Sequence, residues 1–511
     1  MIFSSPQFLF LFLPLALAGF WLLPAGGRKL WLIVLSFVFY SLWQWQHLVL
    51  LLISILGNYG LAGSLSQGRK INRRLILAGG IGLNLFLLGI FKYTGFFLEN
   101  IRPFLGISWR PEIILPLAIS FFTFTQIAYL VDVYGDRRAH CGLSDYVFFV
   151  IFFPHLIAGP IVRHWEIVPQ IRSPDWRVSW GTMAPGLAML VFGLLKKTLI
   201  ADPLGGYVEI IYGASEAGRA LNSFDAWVGT LAFGLQIYFD FSGYSDMAIG
   251  LALMFGLRFP VNFDSPYRAD SIAEFWRRWH ISLTRFLRDY IYIPLGGNRQ
   301  GLARQCLNIL VTMLLSGLWH GAGWMFLFWG ALHGVFLVMH RGWRWVKEAV
   351  GWTGGRWWGK ATGQVLTLLA VAVAWVFFRS TSFPAACRVL EAMFGLQGPY
   401  ISDRVTDPNG AFGRFWRILG FQFVPGSLEG LDRGSYTELS KLLIASSVLA
   451  LFFPNTQQLL RQWRPVLGQI RAAAWELPLS GWSGFLLGIG FWLVLRTFFT
   501  AQPNAFIYFN F

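Results

Sequence analysis

The sequence predicts an all-α, polytopic membrane protein, and two properties of the chain lead to that prediction. Hydrophobic residues make up 55% of the 511 positions and charged residues only 13%, with a mean hydropathy of +0.54. A water-soluble chain of this length needs far more charged surface. The second property is a series of apolar stretches near the roughly 20 residues that a helix needs to cross the hydrocarbon layer. We therefore expect about 11 to 13 membrane helices, including re-entrant segments.

Nine stretches are apolar along the length of a span, and four are shorter or interrupted. The nine are residues 8–24, 76–97, 113–131, 183–200, 226–256, 323–340, 363–378, 437–453 and 483–499. The weaker four are residues 30–43, 47–65, 146–162 and 305–319. The start of the chain has no basic leader and no small-residue cleavage site, which favours a first membrane helix over a signal peptide.

Lysine and arginine positions predict the orientation of the amino-terminal quarter. Residues 26–29 and 69–74 are basic, whereas the turn at residues 43–47 contains no Lys or Arg. Cytoplasmic loops concentrate these cations. Residue 1 is therefore expected outside, residues 26–29 inside, residues 43–47 outside and residues 69–74 inside.

The stretch 146–162 has basic residues on both sides and helix breakers within it. Arg137-Arg138 precede it, and Arg163 and Arg172 follow, so both flanks have the composition of cytoplasmic loops. Its interior contains Pro154, His155, Gly159 and Pro160, and proline interrupts helical hydrogen bonding. We expect a re-entrant segment that enters and leaves the membrane on one side.

The net charge of +16 is assigned to cytoplasmic loops and to contacts with anionic membrane lipids. No nucleic-acid-binding module accompanies it, so nucleic acid is excluded as a partner. Cys141, Cys306 and Cys387 are widely spaced, and the sequence has no paired cysteines and no HExxH motif. We expect no metal site. Nucleotide-binding loops and the GxSxG motif are also missing.

Residues 257–300 are polar and basic within an otherwise apolar chain. Between residues 274 and 290, aromatic and leucine positions recur at steps of three and four, opposite arginines. This pattern predicts an amphipathic helix in the interface plane. The whole chain is expected to form one membrane domain, with amino-terminal helices at 1–132, a catalytic core at 133–345 and carboxy-terminal helices at 346–511. An extramembrane loop is expected near 398–436.

His320 lies deepest in apolar sequence among the eight histidines. Gly317, Gly321 and Gly323 surround it and allow a substrate or another helix to come close. Ionisable groups at membrane depth are costly and are often functional, but a structural histidine bonded to a neighbouring helix is an equal alternative. His280 fits an interfacial histidine, and His333 fits a packed polar residue.

Five motifs, in a fixed order along the chain, are specific enough to indicate a protein family. They are Tyr238-Phe239-Asp240-Phe241-Ser242-Gly243-Tyr244-Ser245-Asp246, Pro260-Val261-Asn262-Phe263, Phe275-Trp276-Arg277-Arg278-Trp279-His280-Ile281-Ser282-Leu283, Tyr292-Ile293-Pro294-Leu295-Gly296-Gly297 and Leu318-Trp319-His320-Gly321. This series resembles the membrane-bound O-acyltransferase family, in its bacterial branch that acts in alginate O-acetylation. Pro154–Pro160, Trp375–Arg379 and Phe506–Phe509 are similar to the same branch.

The resemblance implies a funnel around a buried histidine, with His320 as the catalytic residue and His280 as the second histidine position. Many eukaryotic relatives have Asn at that second position. His320 would act as general base on an acceptor hydroxyl that attacks a thioester, and His280 or a backbone N–H would stabilise the oxyanion. Substrate-binding roles are assigned to four residues: Trp319, Trp279, Arg278 and Asn262. Arg277 and Arg278 fit either phosphate binding or anchoring to lipid.

By the same resemblance, acetyl-CoA is the expected donor on the cytoplasmic side, and no cofactor is expected to stay bound. The expected partners are a periplasmic or membrane-anchored acetyltransferase protein and a polysaccharide acceptor, such as alginate or cellulose. The expected location is the bacterial inner (cytoplasmic) membrane. Two alternatives stay open: D-alanyl transfer to teichoic acid, and a transporter or flippase. The sequence has no evident inverted repeat, which disfavours the transporter.

Overall fold

The structure is a computed structural model that describes residues 2–67, 72–106, 109, 111–136, 139–351, 357–396, 398–426, 428, 430–478, 480–500 and 506–507. The predictions made on residues 69–71, on Arg137-Arg138 and on Tyr508-Phe509 lie outside these residues.

The described residues are predominantly helical, with only two short strands. The amino-terminal third contains α1 (Leu13–Leu22), α2 (Ala25–Gln44), α3 (Leu48–Ser66), α4 (Arg73–Leu88), α5 (Thr94–Leu105), α6 (Ile119–Gly135), α7 (Leu143–Ile151), α8 (Phe153–Leu156) and α9 (His164–Arg172). The central part contains α10 (Trp180–Leu195), α11 (Asp202–Glu216), α12 (Ser223–Met254), α13 (Ile272–Arg278), α14 (Ile281–Leu287), α15 (Gly301–His320) and α16 (Trp324–Ala349). The remainder contains α17 (Trp357–Arg379), α18 (Phe383–Met393), α19 (Ala411–Ile418), α20 (Arg433–Phe452), α21 (Thr456–Leu459) and α22 (Gly481–Thr500).

Wider π-helical turns join several of these helices. They are Phe8–Phe12 before α1, Gly89–Tyr93 between α4 and α5, Lys196–Ala201 between α10 and α11, and Arg288–Tyr292 after α14. Short 3-10 turns occupy Trp45–His47, Pro266–Arg268 and Arg461–Trp463.

Seven helical segments of the described chain are long and apolar enough to cross a membrane. They are Ala25–Trp43, Trp45–Ser66, Arg73–Leu105, Trp180–Glu216, Gly301–His320, Trp358–Arg379 and Gly481–Phe499. The predicted all-α polytopic class is confirmed. Three of the four weaker stretches, at 30–43, 47–65 and 305–319, are complete helices of this set. Polar residues had shortened their apolar runs without ending the helices, as Asn58 does in α3, where it exchanges side-chain hydrogen bonds with Asn84 of α4.

Helix α12 is the centre of the molecule and is buried along nearly its whole length. It packs closely on α10 because glycines face each other at two levels, Gly193 with Gly243 and Gly186 with Gly250. A Cβ atom at Gly193 would lie 2.5 Å from the Gly243 carbonyl oxygen, and one at Gly250 would lie 2.6 Å from the Gly186 carbonyl oxygen. Small residues of this kind let helix backbones approach each other.

Two buried carboxylates of α12, Asp240 and Asp246, are neutralised by lysines within the protein. Lys196 pairs with Asp246 at 2.6 Å, and Lys197 pairs with Asp240 at 2.9 Å and with Asp202 at 2.7 Å. Both lysines come from the π-helical turn after α10. A buried carboxylate without a partner is strongly destabilising, so this turn and α12 form one electrostatic unit.

The stretch at 146–162 is broken, as its prolines predict. Helix α7 ends at Ile151, and after the single turn of α8 the chain runs without regular structure to His164. Asp145 at the start of α7 binds Arg172 at the end of α9 and also Lys29, each at 2.7 Å. The two ends of the segment therefore meet at one point. This geometry favours a re-entrant path, which stays a prediction because it depends on the position of the bilayer.

The predicted continuous amphipathic helix between residues 274 and 290 is wrong, because the chain breaks at Trp279-His280. His280 adopts a left-handed backbone conformation with φ 42°. Instead of helical bonds, Asp264 N–H donates to the Arg278 carbonyl and Ile281 N–H donates to the Asn262 carbonyl. The apolar face of α13 and α14 packs inside the protein, where Trp276, Trp279, Leu283 and Phe286 are buried.

The predicted loop near 398–436 has regular structure of its own. Strands β1 (Tyr400–Ser402) and β2 (Gln422–Val424) pair in parallel, with Tyr400 opposite Gln422, and α19 lies between them in sequence. Its position outside the membrane stays a prediction.

Candidate active site

His320 is the last residue of α15, and two side chains from the turn between α4 and α5 cap that helix end. Lys92 Nζ donates to the carbonyl oxygen of Trp319 at 2.6 Å and to that of His320 at 3.3 Å. Tyr93 donates to the carbonyl of Leu318 at 2.8 Å. The last carbonyls of a helix lack partners within the helix and attract cations. Lys92 and Tyr93 therefore fix the position of His320.

The His320 imidazole lies in an aromatic pocket and is 3% exposed. Its ring centroid is 4.9 Å from Trp319, 5.0 Å from Trp329 and 5.5 Å from Phe378, each in edge-to-face geometry. Trp329, Phe378 and Lys92 were not among the predicted site residues. They come from other helices, and no local pattern indicated that they would meet His320.

Glycines bring α16 close to α15 beside His320. A Cβ atom at Gly317 would lie 2.2 Å from the Phe326 carbonyl oxygen, and one at Gly330 would lie 2.4 Å from the Met313 carbonyl oxygen. Because Gly330 follows Trp329 directly, this contact also sets the position of the indole against His320. The glycines expected to let another helix come close do so at Gly317.

His280 is fully buried, and its hydrogen bonds fix its tautomer. The Asn262 Oδ1 atom faces the backbone N–H of Ser282 at 3.2 Å, and that N–H can only donate. The same oxygen faces His280 Nδ1 at 3.1 Å. Since the oxygen is an acceptor, Nδ1 must carry the proton. The neutral imidazole then presents a lone pair at Nε2.

This tautomer changes the role expected for His280. Neutral His280 cannot donate to an oxyanion, because its single N–H is already bonded to Asn262. Burial lowers the pKa of His280 to about 3, which favours the neutral form. Its Nε2 atom has no hydrogen-bond partner among the described residues. His280 thus has the geometry of a proton acceptor, and Asn262 contacts His280 directly.

Trp319 links the two histidines. Its ring centroid lies 4.9 Å from that of His320 and 6.1 Å from that of His280. Trp279 joins the same cluster through Phe263, whose ring is 5.1 Å from Trp279 and 6.4 Å from His280. Four of the predicted residues, His320, His280, Trp319 and Asn262, are therefore brought together, with Trp279 behind them.

His333 extends this cluster on the other side of Trp329. Its ring lies 4.8 Å from that of Trp329, and Trp276 Nε1 donates to its Nδ1 atom at 3.3 Å. It is packed and fully buried, as the sequence suggested, but it is closer to the site than its 13-residue separation from His320 indicated.

Arg278 does not join the histidines. Its guanidinium binds Glu274 at 2.8 Å, and Arg471 binds the same carboxylate at 2.9 Å. Burial alone would raise the pKa of Glu274, but hydrogen bonds from Arg471, Arg278 and Arg277 outweigh it and lower the pKa to about 2. This ion cluster does not distinguish phosphate binding from lipid anchoring, so both roles of Arg278 stay predictions.

Two cavities lie near the histidines, at different levels along α12. The larger, of about 910 Å³, is lined by Gln236 of α12 and reaches Phe378, which contacts His320. The smaller, of about 200 Å³, is lined by Phe263 and by Gln457, which binds Asp246 of α12. Positions 236 and 246 are about 15 Å apart along a helix.

Between these two levels, Phe241 of α12 contacts His280 with ring centroids 4.6 Å apart. The buried histidines thus lie between two cavities. Within the described part of the chain, no three His, Cys, Asp or Glu side chains converge as metal ligands.

Comparison with known proteins identifies the family. The model of the membrane-bound O-acyltransferase family matches residues 136–373, a range that includes both His280 and His320. A peptidoglycan O-acetyltransferase from Helicobacter pylori is 40% identical over 435 residues, which are 78% of this chain and 80% of the relative.

A protein from Azotobacter vinelandii named probable alginate O-acetylase is 42% identical over 411 residues, 79% of this chain and 80% of its own. A teichoic acid D-alanyltransferase from Streptococcus thermophilus is 26% identical over 282 residues, 51% of this chain and 68% of the relative. The resemblance read from the motifs is confirmed: the chain belongs to the membrane-bound O-acyltransferase family and is an acyltransferase.

Proposed function

We propose that this protein passes an acetyl group from a cytoplasmic thioester donor, acetyl-CoA, across the bacterial inner membrane for O-acetylation of an exopolysaccharide. The observation that carries the proposal is the position of the buried histidines between two cavities that open at different levels of α12. A donor and an acceptor that never share a compartment need such an arrangement.

The charges around the cavities support the direction of transfer. Arg285 and Arg471 line the smaller cavity, against one carboxylate, Asp264. The larger cavity is lined by Glu99, Glu209 and Glu216, with Arg379 as its one cation among the described residues. Because cytoplasmic surfaces concentrate Lys and Arg, the smaller cavity is assigned to the cytoplasm and the larger to the periplasm.

His320 acts as general base in the proposed reaction. It takes the proton of the acceptor hydroxyl, whose oxygen forms a bond to the acetyl carbonyl carbon. The resulting tetrahedral oxyanion collapses, the carbon–sulfur bond breaks, and the leaving thiolate takes the proton back from the imidazolium. His280, with its lone pair at Nε2, is placed to accept a second hydrogen bond during this exchange.

The indole N–H groups of Trp319 and Trp329 are the proposed donors to the oxyanion. Both nitrogen atoms are buried, and neither has a hydrogen-bond partner among the described residues. Buried donors aimed at developing charge are worth more than donors in water. They replace His280 in that role.

The acceptor is a hydroxyl that enters through the larger cavity, either a sugar hydroxyl or a serine of a periplasmic or membrane-anchored partner protein. Relatives of similar identity bear the names of alginate and of peptidoglycan acetylation. Alginate-like polymers and peptidoglycan are therefore candidates, and a cellulose-like polymer stays a candidate from the motif resemblance alone. D-alanyl transfer is the second candidate, since a relative of lower identity bears that name.

The test uses purified protein in lipid nanodiscs with labelled acetyl-CoA, with and without candidate periplasmic partners. We expect label on the partner or polymer, and a loss of at least about 100-fold in rate for His320→Ala, because a general base contributes about that much. His47→Ala, at a half-buried histidine outside the site, is the matched control. A folded His320→Ala protein that keeps the wild-type rate contradicts the role of His320.

A second donor separates the alternatives. A carrier protein loaded with D-alanine replaces acetyl-CoA in this experiment. A D-alanyltransferase would transfer D-alanine from it, and an acetyltransferase would not. Movement of a small solute into liposomes without any acyl transfer would contradict both and support a transporter.

A further inference from the structure

A basic pocket of about 240 Å³ lies outside the site, between α13, α15 and α16. His340, Arg341 and Arg344 of α16 line it, together with the amide side chains of Asn298 and Gln305. We name this the basic pocket. No carboxylate of the described residues lines it.

The cations of the basic pocket are poorly neutralised. The Arg341 Nε atom is buried, and it has no hydrogen-bond partner among the described residues. Arg344 pairs with Glu348 at 3.4 Å, and both side chains are more than half exposed. Exposed pairs of this kind contribute little. Asp270 also faces His340, but Arg277 and Lys347 oppose it there.

The position of the pocket along α16 indicates the depth of the headgroups. Trp343 and Trp345 flank Arg344 and are exposed. Tryptophan favours the interface between hydrocarbon and water, and basic pockets between helices on the cytoplasmic side hold lipid phosphates. The positive charge of this end of α15 and α16 assigns it to the cytoplasm, by the same rule as the smaller cavity.

The pocket is connected to the site through packed rings. Ala273 of α13 lines it, and Trp276, one turn further along α13, donates to His333. Trp329 contacts both His333 and His320. A ligand in the pocket therefore contacts helices that also position His320.

We propose that the basic pocket binds a phosphate group. A guanidinium whose Nε atom has no partner among the described residues, a second arginine and two amides suit a tetrahedral anion with several acceptor oxygens. The volume is below the roughly 300 Å³ at which sites for complete small molecules begin, so the phosphate is one part of a larger ligand. Two ligands carry such a group to this depth: an anionic phospholipid and the acyl donor. The donor case rests on the proposed function.

The experiment measures binding to the full-length protein in two arms. Native mass spectrometry counts phosphatidylglycerol retained from nanodiscs, against phosphatidylcholine, and titration calorimetry measures the affinity for free CoA. Arg341→Gln is the main variant, with Arg344→Gln as a second in case the first does not fold. Arg304→Gln is the control, because Arg304 is an exposed cation at the same end of α15 and does not line the pocket.

We expect Arg341→Gln to weaken the binding of one of the two ligands about tenfold, the effect of one lost charge-assisted hydrogen bond. Arg304→Gln should change that affinity less than twofold. Weaker phosphatidylglycerol retention alone assigns the pocket to lipid, and weaker CoA binding assigns it to the donor. No change in either arm, or an equal change in Arg304→Gln, overturns the proposal. If the protein binds CoA at the pocket but transfers no acetyl group, the proposed function is contradicted, while the proposal that the pocket binds phosphate still holds.

Discussion

Asn262 shows how a neutral side chain can organise a buried histidine. Its Oδ1 atom accepts hydrogen bonds from His280 Nδ1, from Ser282 N–H and from Ser282 Oγ. Its Nδ2 atom donates to Ser245 at 3.0 Å. One amide therefore determines the tautomer of His280 and joins α12 to the break between α13 and α14. The sequence indicated Asn262 only as a substrate-binding residue, since the contact that gives it this position cannot be read from spacing.

Replacing Asn262 separates these effects. Asn262→Leu leaves three buried donors without an acceptor, at about 1–3 kcal/mol each, so we expect a large loss of thermal stability and of acetyl transfer. Asn262→Asp keeps the acceptor but places a carboxylate beside His280, which favours the protonated imidazole. We expect the rate of acetyl transfer by Asn262→Asp to fall at low pH, so that the acid limb of the pH–rate profile moves to higher pH. Equal stability of the two variants, with an unchanged profile, contradicts a positioning role.

Glu274 gives a pH-dependent contribution to stability with a defined sign. Its pKa is lowered from 4.5 to about 2 by the arginines around it, so the folded protein binds its proton later than the unfolded chain does. The contribution is complete above pH 4.5 and is lost as the pH falls towards 2. We expect the difference in melting temperature between wild type and Glu274→Gln to be constant at neutral pH and to shrink below pH 4.5.

The control for that series is Glu438→Gln, which removes an exposed pair with Lys441. Exposed pairs contribute little, so its melting temperature should follow wild type at every pH. A difference for Glu274→Gln that persists at pH 2 would show that the carboxylate acts through packing rather than through its charge.

At the scale of elements, the contact between α15 and α16 holds His320 against Trp329. A methyl group at Gly330 meets backbone at 2.4 Å, so the helices must separate. Overpacking of this kind costs about 1–3 kcal/mol. We expect Gly330→Ala to lower the melting temperature and to reduce the turnover number for acetyl transfer, with a smaller effect on KM for acetyl-CoA.

Gly342→Ala is the matched control on the same helix, since a Cβ atom there meets nothing within 4 Å. It should keep wild-type activity and be neutral or slightly more stable, because alanine favours helix over glycine. Wild-type kinetics for Gly330→Ala would mean that the close approach of the helices does not set the geometry of the site.

The helices themselves could be predicted from the sequence, but the break within one of them could not. Hydropathy located all seven spans of the described residues, because an apolar run of about 20 residues has few other structures available in a membrane. It also marked six further stretches that do not qualify as spans by length and composition, so the expected 11 to 13 membrane helices exceed the seven found in the described chain. The period of three and four through residues 274–290 continues across the break. Only long-range backbone bonds to Asn262 and Asp264 replace the helix there. Local patterns do not carry such information.

At the scale of the whole molecule, the histidine site has contributions from distant parts of the chain. Lys92 reaches the last carbonyls of α15 across more than 220 positions. Ile507 N–H donates to Asp240 at 2.8 Å, and Phe506 packs 5.4 Å from Phe241, which contacts His280. The motif resemblance predicted His320 and His280 as site residues. Their neighbours depend on helix packing that a single sequence does not encode locally.

The orientation of the two cavities is a prediction about the entire protein. In a background with Cys306 and Cys387 replaced by Ser, Thr381→Cys lies at the larger cavity and Gln469→Cys at the smaller one. A membrane-impermeant thiol reagent should label the first from the periplasmic side and the second only in inverted vesicles. Labelling of both from one side contradicts transfer across the membrane.

The left-handed backbone at His280 has a consequence for the history of this position. With φ 42° and ψ 54°, it suits glycine, asparagine, aspartate and histidine, and it strains β-branched residues. The backbone therefore restricts which mutations can persist before any question of chemistry arises. The asparagine expected at this place in many eukaryotic relatives is among the few residues that satisfy it. Histidine and asparagine therefore both fit this backbone without remodelling of the fold, so the shape of the main chain limits which side chains the site accepts.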